Sequence, residues 1–180
     1  MGDIDLERLV EVGNVEEVEK YLNGGSDINR LIKGNYQMTL LHIACNYLQP
    51  AMILYLVENA ADVNSRDSDS LTPLHCLILP SIQGGDYMKE IPIKLALIKY
   101  LIKNGANIEA RDKQGNTPLH LAITCDSDSK LTKYLLQIGA DTLAQNNKNQ
   151  TPSILLNPGE YYLDDNGVYH EIIEYDYDEP

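Results

Sequence analysis

The chain has no Trp and no Phe, and all of its aromatic content is 12 tyrosines among 180 residues. A core limited to Leu, Ile, Val and Ala suits small packed helices better than one large central cavity. Basic residues are also scarce: 14 Lys and Arg face 27 Asp and Glu, a formal charge of -13. A surface this acidic repels phosphate backbones and anionic headgroups, so neither nucleic acid nor a membrane is expected as a partner. No stretch of 18 apolar residues occurs, and no N-terminal run resembles a signal peptide. The opening Met1, Gly2, Asp3, Ile4, Asp5, Leu6 lacks the Ser or Thr that a myristoylation signal prefers at its sixth position. The three cysteines, Cys45, Cys76 and Cys125, are odd in number and without CxxC spacing. Reduced, buried thiols are expected, and with them a cytoplasmic or nuclear location.

Chemistry-bearing constellations are equally thin. There is no nucleophile paired with a base, no phosphate-cradling Gly loop and no zinc spacing. No enzyme activity, cofactor or metal is expected. Asp67, Ser68, Asp69, Ser70 and Asp126, Ser127, Asp128, Ser129 repeat a serine-acid pattern but lack the alternating ligands and distal Glu of a calcium loop. They read as turn residues, with Ser129 as a helix N-cap.

What the chain does hold is a recurring phrase. Thr72, Pro73, Leu74, His75 returns as Thr117, Pro118, Leu119, His120, with echoes from Thr39 to His42 and at Thr151 and Pro152. The threonines lie 33, 45 and 34 residues apart, which indicates a unit of about 33 residues with one interruption. Pro at a first helical position loses no hydrogen bond, and the preceding Thr caps free amides. Leu131, Leu135 and Leu136 form one apolar stripe that only a stacked neighbour hides. Gly105 and Gly139 stop second helices in the left-handed conformation, where Ala60 is a departure that predicts strain.

These anchors resemble the ankyrin repeat, most fully from Thr117 through Ala122 to Gly139, Ala140, Asp141. The resemblance implies an α fold: a solenoid of helix-turn-helix units with β-hairpin fingers. Four full repeats are expected at about 3–29, 30–64, 65–109 and 110–143, then a truncated fifth at 144–156. An insert at 80–92 reads as a surface loop interrupting the third. Residues 157–180 form an acidic, Tyr-rich end, in which Asn166 and Gly167 between strand formers predict a hairpin capping the last repeat. His42, His75 and His120 take a structural place in this family, bonding locally and linking neighbouring fingers.

By the same resemblance the function is protein binding through finger tips and the exposed side of the inner helices. On the inner helices that surface comprises Ile43, Asn46, Tyr47, Cys76, Leu79, Leu121 and Thr124. The enlarged first finger adds Leu31, Ile32, Tyr36 and Met38, the later fingers Arg66, Asp69, Arg111 and Lys113, and the insert Tyr87. A monomer is expected, binding and inhibiting or sequestering a protein with a basic segment that the acidic surface steers in. Short IκB-like inhibitors and host-modulating viral ankyrin proteins are similar in size and wording. A scaffold, adaptor or self-assembling ankyrin protein is the other class.

Overall fold

The computed structural model describes residues 3–32, 36–82, 84, 86–125, 130–156, 161–163 and 169–171, with the side chains of 3–5, 87–88 and all those beyond 156 left out. Helices come in pairs: α1 (Asp3–Glu11) with α2 (Val15–Asn23), α3 (Leu40–Asn46) with α4 (Pro50–Glu58), α5 (Pro73–Ile78) with α6 (Tyr87–Lys103), and α7 (Pro118–Cys125) with α8 (Lys130–Gln137). A one-turn helix, α9 (Pro152–Leu155), follows. The first members stack in one row, α1 on α3 on α5 on α7 on α9, and the second members in another, α2 on α4 on α6 on α8. One continuous core lies between the rows, from Leu6 and Val10 through Leu41, Leu56, Leu77 and Leu101 to Leu131 and Leu135. Each pair is too small to hide its own apolar stripe, so stacking is what buries it.

The recurring phrase starts each inner helix in the same way. The Thr39 hydroxyl lies 2.8 Å from His42 Nδ1, and the Thr39 amide donates to the same nitrogen at 3.3 Å. Thr72 with His75 and Thr117 with His120 repeat the pair at 2.9 Å and at 3.2 and 3.1 Å. This is a capping box in which His replaces the usual Glu or Gln. Two donors converging on Nδ1 make it the acceptor and leave the ring proton on Nε2. That Nε2 donates forward to the Leu71 carbonyl from His42 (2.9 Å) and to the Gln150 carbonyl from His120 (3.1 Å), tying each helix start to the next finger.

Outer helices end alike. The amides of Gly105 and Ala106 donate to the Ile102 and Leu101 carbonyls, and those of Gly139 and Ala140 to Leu136 and Leu135, all at 3.0 Å. Ala60 and Ala61 make the same bonds to Val57 and Leu56, and Ala60 is forced to φ +66° where Gly105 and Gly139 sit at +89° and +86°. Left-handed backbone costs a Cβ-bearing residue about 1–2 kcal/mol, of which glycine's extra unfolded entropy offsets part. Ala60→Gly is therefore expected to raise stability by about 0.5–1 kcal/mol, read as a higher urea midpoint at unchanged slope.

Two sequence expectations are corrected here. The fingers contain no strand ladder among the described residues. Instead Asp67, Asp112 and Asn146 each close a turn: the residue's amide donates to the carbonyl four positions on, and its side-chain oxygen accepts from the amides two and four positions on at 2.8–3.0 Å. Ser70, Gly115 and Asn149 supply the left-handed residue that each turn needs. The other correction concerns the insert at 80–92, whose second part, from Tyr87 on, is helix rather than loop. At 17 residues α6 is nearly twice as long as the 9-residue α4, and Pro92 lies inside it. A proline at the sixth helical position forgoes only one bond, to a carbonyl in the first turn, which explains why it does not end the helix. The Asp86 carbonyl opens the helix by accepting the amides of Lys89 and Glu90.

Beyond α9, Tyr161–Leu163 (β1) and Tyr169–Glu171 (β2) pair antiparallel, Tyr161 opposite Glu171. The expected turn at Asn166 and Gly167 lies outside the described residues, as do the Asp126 to Ser129 motif and its N-cap.

Candidate functional site

The fingers form a continuous edge. The Ser68 amide donates to the Tyr36 carbonyl (2.8 Å), the Lys113 amide to Asp69 (2.8 Å) and the Asn147 amide to Gln114 (2.9 Å). At the finger stems Arg66 donates to the Arg111 carbonyl at 2.6 Å, and Arg111 in turn to the Gln145 carbonyl. Lys113 also pairs with Asp69 at 3.5 Å, both side chains partly in water. Four residues expected to meet a partner, Arg66, Asp69, Arg111 and Lys113, are therefore links between fingers. Equivalent positions of successive units lie beside each other, so long polar side chains there reach the neighbouring backbone.

The first finger is split. Leu31 and Tyr36 are exposed, at 46% and 54%. Ile32 is not: at 3% exposure, with its amide on the Met38 carbonyl, it belongs to the core. Met38 is half-buried, and its sulfur accepts from Asn46 Nδ2 at 3.4 Å. Tyr47 is half-buried too, its hydroxyl bonded to Glu11, and that carboxylate raises the phenol's pKa. The order of apolar residues along this finger, Leu31, Ile32, Tyr36 and Met38, does not by itself tell which ones turn inward.

On the inner helices Ile43 and Cys76, expected to be exposed, are buried at 2% and 1%. Both helices are packed between neighbours, α3 between α1 and α5 and α5 between α3 and α7. The Ile82 amide also donates to the Asn46 carbonyl at 3.0 Å and ties the insert to the end of α3. Leu79 is half-buried, and its carbonyl is taken by Lys94 Nζ at 2.6 Å. Of Tyr87 only the backbone, at the start of α6, is described. The thiols of Cys45 and Cys76 are buried, and desolvation pushes the pKa of each upward, away from the reactive thiolate.

Around α7 the inner face opens. Leu121 is half-buried and Thr124 exposed, and beside them lies a hollow of about 280 Å³. Gln114, Asn116, Asn146, Lys148 and Gln150 rim it from two fingers, while Leu121 and Leu155 supply apolar wall. The rim amides are ordered among themselves, Asn146 Nδ2 donating to Asn116 Oδ1 at 2.9 Å. Lys148 makes no ion pair among the described residues. The volume suits one or two side chains of a partner rather than a drug-sized ligand. Of these residues Thr124 and Leu121 were foreseeable from inner-helix register. The rim was not, because Asn and Gln in a finger look like ordinary turn residues.

Family models described as ankyrin repeats match residues 21–76 and 94–136, and another described as ankyrin repeat matches 69–113. The chain belongs to the ankyrin-repeat family. No curated protein matches it. Ankyrin repeats are in general modules for protein-protein interaction, and the surface just described is of that kind: backbone-braced fingers beside an inner-helix hollow. Among the described residues no group of His, Cys, Asp and Glu is placed to hold a metal ion, and no helix is long and apolar enough to cross a membrane.

Proposed function

We propose that this ankyrin-repeat chain is a non-enzymatic binding module that acts as a monomer in the cytoplasm or nucleus by occupying, and so inhibiting, a partner protein. The single observation that carries the reading is the hollow at α7, with its apolar wall, its amide rim and Lys148 beside them. Four helix pairs and the lone α9 correspond in this reading to four repeats and a truncated fifth, with 157–180 as an acidic terminal segment. Leu31 and Tyr36 on the first finger form a second, smaller contact. Residues 1–93 carry 6 basic and 14 acidic residues, which suits a partner with a basic segment and fast, salt-sensitive association.

Gln114 and Thr124 are exposed, and replacing both by Glu fills and recharges the hollow without touching the core. Wild-type chain is expected to retain a set of proteins from lysate that the Gln114→Glu, Thr124→Glu chain loses, with both melting at the same temperature. Identical retained sets would overturn the assignment of the hollow. A stable oligomer that buries the first finger would point instead to a self-assembling scaffold.

A further inference from the structure

The hydrogen bonds around the hollow have a direction. An ionised Asp112 can only accept: its Oδ1 takes the amides of Gln114 and Asn116 at 2.9 and 2.8 Å, and its Oδ2 takes Asn116 Nδ2 at 3.1 Å. With Nδ2 held by the carboxylate, Asn116 presents Oδ1 to Asn146 Nδ2, which donates to it at 2.9 Å. Asn146 is fixed in the same sense from its other side, because its Oδ1 accepts the amides of Lys148 and Gln150 at 2.9 and 3.0 Å. The same Nδ2 reaches Gln150 Oε1 at 3.4 Å. The relay thus begins at a carboxylate and ends at a donor, Gln150 Nε2, which meets no acceptor among the described residues.

Beside that donor stands the Lys148 ammonium, from the same finger and on the same rim. His120, which also lines the hollow, has its ring committed to Thr117 and to the Gln150 carbonyl, so Lys148 supplies the charge there. An ammonium next to an open amide N–H calls for an anionic acceptor, and the Leu121 and Leu155 wall calls for an apolar side chain. We infer that the hollow takes a side-chain carboxylate, Asp or Glu, carried next to an aliphatic side chain on a segment of the partner protein. The carboxylate meets Lys148 and Gln150 Nε2, and the aliphatic group meets the leucines. Charge along the chain agrees: residues 94–148 hold 8 basic and 5 acidic residues, against 6 and 14 in residues 1–93. A partner with one basic and one acidic-aliphatic segment is thereby sorted along the stack, its acidic part at α7 and α9 and its basic part towards α1. The inference rests on reading the hollow as a binding site, but the sign of the ligand can be wrong while that reading stands.

The test titrates three peptides blocked at both ends, acetyl-Gly-Leu-Glu-Gly-amide and its Gln and Lys counterparts, into the full chain. Binding is read from the amide shifts of Leu121, Thr124, Lys148 and Gln150. The Glu peptide is expected to bind with a Kd on the order of 1 mM, and the Gln peptide at least about tenfold more weakly for want of the charged hydrogen bond. Lys148→Met keeps the stem of the side chain and is expected to bring the two affinities together. Gln150→Glu keeps an oxygen for Asn146 while turning the end donor into an acceptor, so it is expected to lose the Glu peptide and to prefer the Lys one. If the Gln or Lys peptide binds wild type as tightly as the Glu peptide, or if a version needs a free C-terminal carboxylate to bind, the proposal is overturned and the hollow stays a site. Absence of shifts with every peptide at about 10 mM overturns it too. Whether the hollow itself then falls is decided separately, by the proteins that the Gln114→Glu, Thr124→Glu chain retains from lysate.

Discussion

Between pH 6.5 and pH 4 the chain is expected to lose about 3 kcal/mol of stability through His75 alone. Burial lowers the pKa of this imidazole to about 4 from the ordinary 6.5. The unfolded chain thus takes up the proton first, so the contribution is complete above pH 6.5 and disappears as pH falls through 4. Geometry explains why the folded ring resists protonation. Nδ1 already accepts from Thr72, and Nε2 makes no ordinary hydrogen bond, although the Asn116 carbonyl it faces opposes the shift. His42, lowered by desolvation as well, adds in the same direction. Urea midpoints at pH 7 and pH 5 measure the effect. His75→Gln retains a capping side chain but does not titrate, so its pH slope should be smaller by about one proton. An unchanged slope would show that His75 is not the group responsible.

The second large effect is expected at Lys94. It is 1% exposed, donates to the Leu79 carbonyl at 2.6 Å and lies 3.6 Å from Glu90, which also accepts from the Ser81 hydroxyl at 2.7 Å. Together they fasten the start of α6 to the segment after α5. Removing one member of a buried ionic pair leaves the other uncompensated, at a cost of about 3–5 kcal/mol. Lys94→Ala is expected to lose about 3 kcal/mol, and Lys94→Met, which keeps the stem's packing, to recover a sizeable part of it. Chemical denaturation of the three chains decides the matter. Equal stability of wild type and Lys94→Ala would mean that the insert is not anchored by this side chain.

Lys94 also shows where the sequence stopped being legible. The helix pairs, their order and their caps follow from local signals: Thr with Pro at a start, Gly at a stop, leucines at helical spacing. Such signals act over a few residues and survive into the fold unchanged. The insert departs from the loop expected at 80–92 because Pro92 falls near the start of α6, where a proline costs a helix little. Ile32, Ile43 and Cys76 were misplaced for a related reason. Their burial depends on what another unit lays over them, and no periodicity within one unit records that. The hollow was hidden most deeply, since its rim is assembled from two fingers and one inner helix.

The braces between fingers bear on how such a chain changes over generations. Because each finger meets the next through the same kind of backbone bond, at Ser68, Lys113 and Asn147, any unit presents its neighbour with the same join. Units of this kind can be duplicated, lost or exchanged without redesigning the seam. The third unit adds a join of its own: its Ile82 amide reaches back to the Asn46 carbonyl, so that seam is matched to one particular neighbour.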